Sequence, residues 1–347
     1  MEYGSEFHAR ANEAFERAFP GFVRDDWKLV RSGRDALKAL AGLAAGKRVL
    51  LPALCCESMI VPFALNGCEV VFYRLREDLR GDEADVRDKL ADGALLLYMP
   101  YFGIRPFSDA FLRQLKSGGR DILLAEDRTQ DIVVPRREEG ITPDATLASL
   151  RKWASLPEGG MLRTGLPVEI GPADSRFGDM RMEAMEEKAR YLESWEPSLK
   201  RDFLQKLHTA EAMLDENPGA AGMSEHWRQH LERLDFDAVY RARRHNILYL
   251  RDRLEPLREA GKLRFLTERP EESTLYLPLL LEDRNAVQRA LAERGIYCPV
   301  IWPEPEQAAG VCPVSRWVTE HILCLPCDQR YGESDMDFYA DCLNDIM

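Results

Sequence analysis

Between residues 47 and 162 short apolar runs alternate with helical stretches, and no other feature constrains the fold of this chain as much. Lys47-Arg-Val-Leu-Leu-Pro52 reads as a strand, Ser58 to Asn66 as a helix and Cys68-Glu-Val-Val-Phe-Tyr73 as a strand again. Ala94 to Tyr98, the run entering Asp127 and the run closing on Ser149 continue the series. Strands that alternate with helices predict an α/β fold, a mostly parallel sheet with helices packed on its faces. From residue 275 the pattern changes to strand (Leu275 to Leu281), helix (Arg284 to Arg294), strands (Tyr297 to Trp302, Ile322 to Leu325) and a last helix from Ser334 to Ile346, which predicts a small α+β unit.

Two strands end on residues that a binding site would use. Ile122-Leu-Leu-Ala125 delivers Glu126 and Asp127 to a strand's carboxyl end, where open α/β sheets bind ligands, and Gln130 follows. A carboxylate placed there is costly unless it meets a cation. The next run closes on Ser149, and Lys152 stands three residues later, ahead of the turn Pro157-Glu158-Gly159-Gly160. Such a lysine can anchor a carbonyl cofactor, or it can be an ordinary solvated side chain. Upstream, Ser32 sits as the N-cap of a helix with Asp35 three residues on, which leaves free N–H groups at Gly33 and Arg34. A helix start of this kind binds anions, phosphate among them, although the same text describes a well-capped helix and nothing more.

Taken in order, Ser32-Gly33-Arg34, Asp127-x-x-Gln130 and Ser149-x-x-Lys152-x5-Glu158-Gly159-Gly160 resemble the motifs of the DegT/DnrJ/EryC1/StrS family of pyridoxal-phosphate-dependent sugar aminotransferases. Ile322 to Tyr331 looks like its C-terminal Leu-Pro-x-Asp-x-Arg-Tyr signature, and Gly295 to Pro303 like the segment lining its substrate mouth. The resemblance implies a fold-type-I transferase, with a mostly parallel seven-stranded sheet in a large domain (1–235) and a small C-terminal α+β domain (236–347) joined by a long helix. The first thirty residues carry a helical pattern, with Ala11, Ala14, Phe15, Ala18 and Phe19 on one side, and about the first twenty are expected to pack on the small domain.

The same resemblance implies the roles. Lys152 would carry pyridoxal 5'-phosphate as a Schiff base, Asp127 would pair with its ring nitrogen and Gln130 would contact its phenolic oxygen. Ser32, Gly33, Arg34 and Ser149 would hold the phosphate, with Arg34 standing where the family has threonine. In Leu-Pro-Ala-Leu-Cys-Cys56 the family's ring-stacking aromatic is replaced by Cys56 or Glu57. Gly178-Asp179-Met180-Arg181-Met182 lacks the asparagine that in the family reaches the neighbouring subunit's cofactor. Arg243-x-x-Asn246 matches the family's joining helix, and a solvated helix face would read the same way. The implied reaction is ping-pong transamination in a homodimer, from a small-molecule amino donor, glutamate, to a keto acceptor, a nucleotide-linked sugar. Two alternatives keep the fold: another pyridoxal-phosphate reaction on a non-sugar substrate, with a changed mouth around Tyr101, Arg128 and Trp302, or a non-catalytic binding or regulatory protein.

Composition narrows the partners. Among 347 residues, 47 Lys+Arg against 59 Asp+Glu give a net charge of −12, and no basic run is interleaved with aromatics, so nucleic acid and acidic membrane surfaces are not expected partners. No apolar run reaches the roughly 20 residues of a membrane span, and the N-terminus lacks a signal-peptide pattern, so a cytoplasmic protein is expected. Eight scattered cysteines suit buried thiols in a reducing compartment, and Cys324-x-x-Cys327 has no second ligand pair, so no metal is expected.

Overall fold

A computed structural model describes residues 2–17, 21–119, 121–134, 141–216, 218–269 and 275–347. In chain order the elements are β1 (Tyr3–Gly4), β2 (Trp27–Val30), α1 (Gly33–Leu43), β3 (Arg48–Pro52), α2 (Glu57–Leu65), β4 (Glu69–Tyr73), α3 (Glu83–Lys89), β5 (Leu95–Tyr98), α4 (Asp109–Ser117), β6 (Leu123–Asp127), β7 (Ala145–Ser149) and β8 (Gly160–Thr164). A helical stretch follows, with α5 (Ser175–Ser194), α6 (Pro197–Met213), α7 (Glu225–Leu231) and α8 (Phe236–Glu259). The chain closes with β9 (Arg264–Phe265), β10 (Leu277–Leu280), α9 (Arg284–Glu293), β11 (Ile296–Tyr297), α10 (Pro313–His321), β12 (Ile322–Leu325) and α11 (Glu333–Ile346).

Seven strands form one sheet in the order β2-β8-β7-β6-β5-β3-β4. The pairs from β4 to β7 are parallel, while β8 runs antiparallel to both β7 and β2. The sheet is therefore mixed, with β8 alone reversed. The central strands are apolar on both faces, as a sheet covered by helices requires, and Val49, Leu50, Leu96, Leu97, Leu124 and Leu147 are all buried. A second apolar core gathers Ile247, Leu250 and Leu254 of α8, Leu277 and Leu279 of β10, and Tyr339 and Leu343 of α11 around the three-stranded sheet β12-β10-β9.

The N-terminal segment corrects the helical reading. Tyr3–Gly4 is a short strand paired with Ile296–Tyr297, and Glu13–Phe15 is a single 3-10 turn. Tertiary bonds hold this segment extended: Asn12 exchanges two hydrogen bonds with Ser155, at 2.9 and 3.0 Å, and Gly4 N–H donates to the Tyr331 hydroxyl at 2.7 Å. Those bonds replace the i to i+4 ladder a free amphipathic stretch would use. Ala18 and Phe19 of that reading, and the Asn217 and Thr274 boundaries, lie outside the described residues. The strand expected over Tyr297 to Trp302 is cut to Ile296–Tyr297, and all eight cysteines are free thiols. No helix among the described residues is long and apolar enough to cross a membrane.

Candidate active site

The carboxyl ends of β6 and β7 and the first turn of α1 meet through small residues. Ser32 is extended (φ −152°, ψ 167°), and its Oγ accepts the Asp35 N–H at 3.2 Å and donates to Asp35 Oδ2 at 2.6 Å. A Cβ on Gly33 would stand 2.9 Å from the Ser149 Cβ, and one on Gly160 would stand 2.2 Å from the Ser32 carbonyl oxygen. Glycine at both positions thus lets the helix start, the end of β7 and the Gly-Gly turn close on one another. The turn is anchored from below by Glu158, fully buried, whose carboxylate accepts the Ser224 N–H at 2.7 Å and the Ser224 hydroxyl at 2.6 Å.

Asp127, 5 % exposed, ends β6. Its Oδ1 accepts the Thr129 N–H at 2.8 Å, and among the described residues it has no ion-pair partner. Burial pushes its pKa up, against hydrogen bonding from the Thr129 side chain and backbone and the positive charge of Lys152. Gln130 is buried beside it, with Oε1 accepting the Phe102 N–H at 2.8 Å. Lys152 ends a one-turn 3-10 helix (Leu150–Lys152) after β7 and is exposed to a cleft of about 780 Å³ that Ser149, Arg243 and Tyr276 also line. The structure therefore brings Ser32, Gly33, Ser149, Asp127 and Lys152 to one edge of the sheet.

Other candidates are placed elsewhere. The Arg34 guanidinium, expected at the phosphate, turns away from the helix start and binds the Glu211 carboxylate at 3.1 Å and Asp215 at 2.9 Å. The same glutamate takes Arg151 and Arg181, both on Oε1 at 2.8 Å. Burial opposes the charge on Glu211, but Arg151 and Arg181 override it and draw its pKa down to about 2. Cys56 is the N-cap residue of α2, and its Sγ lies 3.0 Å from the Ser58 hydroxyl; it does not line the cleft. Of the three residues expected at the substrate mouth, Tyr101 is fully buried with its hydroxyl on the Leu54 carbonyl, Arg128 binds Asp131 at 3.2 Å in a separate cleft of about 690 Å³, and Trp302 packs on the large core.

Three further features shape the site, and the first of them, the helix of Arg243 and Asn246, was among the candidates the sequence offered. Arg243 and Asn246 do not form a solvated face: both are buried, and Arg243 donates to Gln329 Oε1 at 2.7 Å, the Trp153 carbonyl at 3.1 Å and the Lys152 carbonyl at 3.4 Å. Residues 4–7 form one wall of the cleft, where Glu6 meets Arg181 at 2.9 Å. Thr129 joins the ends of β6 and β7. A polar residue two positions past a carboxylate at a strand end was the available signal for it.

No sequence-family description and no curated protein sequence matches the chain. Solved structures do. A DegT DnrJ EryC1 StrS aminotransferase from Brucella abortus superposes with a TM-score of 0.61 at 17% identity, covering 92% of this chain and 85% of its own. NtdA from Bacillus subtilis, solved with bound cofactor PMP, gives 0.67 at 16% identity, covering 98% of this chain and 78% of its own. A sugar aminotransferase from Micromonospora echinospora gives 0.64 at 16% identity, covering 99% and 93%. The chain has the fold of these proteins. At such identities the likeness extends to the arrangement of strands and helices, while the chemistry rests on the side chains at the edge of the sheet.

Those side chains fit pyridoxal phosphate. A buried carboxylate without an ion-pair partner suits a protonated ring nitrogen. The helix start at Gly33, closed by Ser149, offers N–H donors to a phosphate. An exposed lysine faces the cleft to one side.

Proposed function

We propose that this protein is a pyridoxal-phosphate-dependent aminotransferase, and the observation that carries the reading is Asp127, buried at the carboxyl edge of the sheet without an ion-pair partner and within the field of Lys152. Bound pyridoxal phosphate supplies a carbonyl that takes up the amine and a ring that withdraws electrons. Asp127 would pair with the ring nitrogen, Gln130 would contact the phenolic oxygen, and Ser32, Gly33 and Ser149 would hold the phosphate. Lys152 would be the anchoring amine and the base that moves the proton at the donor's α-carbon. Arg34 is left out of this set because its charge is spent on Glu211 and Asp215.

The donor is glutamate and the acceptor a keto sugar nucleotide or a related ketone. The similar fold of a sugar aminotransferase supports this choice, as does a cleft in which Lys152 and Arg289 stand beside Arg243 and the ion-paired Arg151, Arg181 and Arg330, six cationic side chains against Glu6, Glu211 and Asp328. The working protein is a cytoplasmic homodimer whose chains divide at about residue 235 into the two domains, each centred on one of the two apolar cores.

The test is the visible absorption spectrum of the purified protein with added pyridoxal phosphate, beside Lys152→Ala, followed by addition of glutamate. The wild type gains a yellow band that glutamate bleaches, and the variant does not. A wild type without a band in excess cofactor, or a variant with the same band, overturns the assignment.

A further inference from the structure

Asp127 and Lys152 come from different strands, yet both are referred to one intervening residue. Thr129 N–H donates to Asp127 Oδ1 at 2.8 Å. Its Oγ1 accepts the backbone N–H of Ser149, at the end of β7, at 3.0 Å. Its carbonyl accepts the indole N–H of Trp153, the residue after Lys152, at 2.8 Å. Trp153 is fully buried beneath the Arg243 guanidinium, 4.9 Å from its ring, so the lysine turn cannot shift without moving this contact.

We propose that Thr129 is a positioning residue: its backbone N–H aligns the Asp127 carboxylate for the ring nitrogen, while its hydroxyl oxygen and carbonyl tie the end of β6 to the lysine-bearing turn. This inference rests on the pyridoxal-phosphate reading. The Thr129 N–H satisfies the Asp127 carboxylate and its Oγ1 satisfies the Ser149 N–H, so one residue fixes the spacing between the end of β6 and the lysine turn. Asp127 is 5 % exposed, and the charged groups acting on it are Lys152, which favours ionisation, and Asp131, which opposes it. A valine of the same shape would remove the acceptor and leave the Ser149 N–H unsatisfied.

The experiment compares wild type, Thr129→Val and Thr129→Ser. It measures the dissociation constant of pyridoxal phosphate from the quenching of intrinsic tryptophan fluorescence and the pH midpoint of the visible band. For Thr129→Val the dissociation constant rises about tenfold or more, the size of leaving one buried backbone donor unsatisfied. Its band midpoint moves up by about half a unit or more, because a ring less firmly protonated withdraws fewer electrons from the lysine nitrogen. Thr129→Ser keeps the hydroxyl and stays within about threefold of wild type in affinity. A valine variant that matches wild type in both readouts overturns the inference, as does a serine variant as impaired as valine, which would assign the effect to the lost methyl group. If the valine variant does not fold, Thr129→Ala is measured against the same criteria. A wild type with no band defeats the cofactor reading instead, so the two failures are distinguishable.

Discussion

Two charged regions lie within a few residues of each other and have opposite characters. Around Glu211, three arginines from α1, the lysine turn and α5 share one carboxylate, Arg34 also reaches Asp215, and Arg181 also reaches Glu6. At the end of β6, Asp127 is buried with a hydrogen bond from Thr129 N–H and, among the described residues, no ion pair. Charges that neutralise one another hold elements together, whereas a buried charge left to hydrogen bonds alone calls for a ligand of opposite sign. The contrast separates scaffold from site more cleanly than residue type does, because both regions are polar and close to Lys152, although Asp127 is buried and the Glu211 side chain is 35 % exposed.

Each side can be broken separately. The largest effect is expected for Asp127→Ala, which lowers the transamination rate by on the order of 10²–10³-fold as the stabilising charge is lost, read as single-turnover bleaching of the visible band, while the chemical-denaturation midpoint of the cofactor-free protein does not fall. Glu211→Gln does the reverse. Three guanidinium groups lose their shared anion, and unfolding of the cofactor-free protein becomes easier by about 2–3 kcal/mol, whereas pyridoxal phosphate affinity changes less than the Asp127 variant's. A smaller effect is expected of Arg34→Ala, whose stability loss is about 1 kcal/mol, with cofactor affinity unchanged; a marked loss of affinity would return Arg34 to the phosphate site.

Acid sharpens the same comparison. The Glu211 pKa is depressed to about 2 by Arg151 and Arg181 against the cost of burial, so its contribution is present above the ordinary glutamate range and is lost as pH falls from about 4.5 towards 2. Asp127 is shifted the other way: raised by burial, it favours the cofactor-free fold when protonated and costs stability as pH rises through its folded value. Thermal unfolding of the cofactor-free protein between pH 2 and 4.5 should therefore be less steep in pH for Glu211→Gln than for wild type. Equal slopes would mean that the cluster is not held by charge.

Much of the site was legible because local rules govern it. The Ser32 cap with its Asp35 partner, the apolar run into Asp127 and the Gly-Gly turn after Lys152 depend on backbone geometry within a few residues, and the structure has the cap, the strand end and the close approach of Gly33 and Gly160. Arg34, Arg243 and Thr129 were not legible in this way. Each is a polar side chain whose role depends on a distant element: Glu211 on α6, the carbonyls of the lysine turn, and the backbone of β7. The N-terminal segment failed for the same reason, since its apolar spacing suits a helix, but Asn12 and Gly4 bond to Ser155 and Tyr331, far along the chain.

The sequence by itself determined the strand and helix alternation of the central sheet, where α1 begins and that a carboxylate and a lysine stand at strand ends, since the 2.0 and 3.6 residue periods and the cap are short-range physics. Only the tertiary structure decided that Arg34 serves Glu211, that Thr129 spans two strands and that Asp127 is left without an ion pair. A charge's role depends on which opposite charge lies within a few ångströms, and that distance is set by packing.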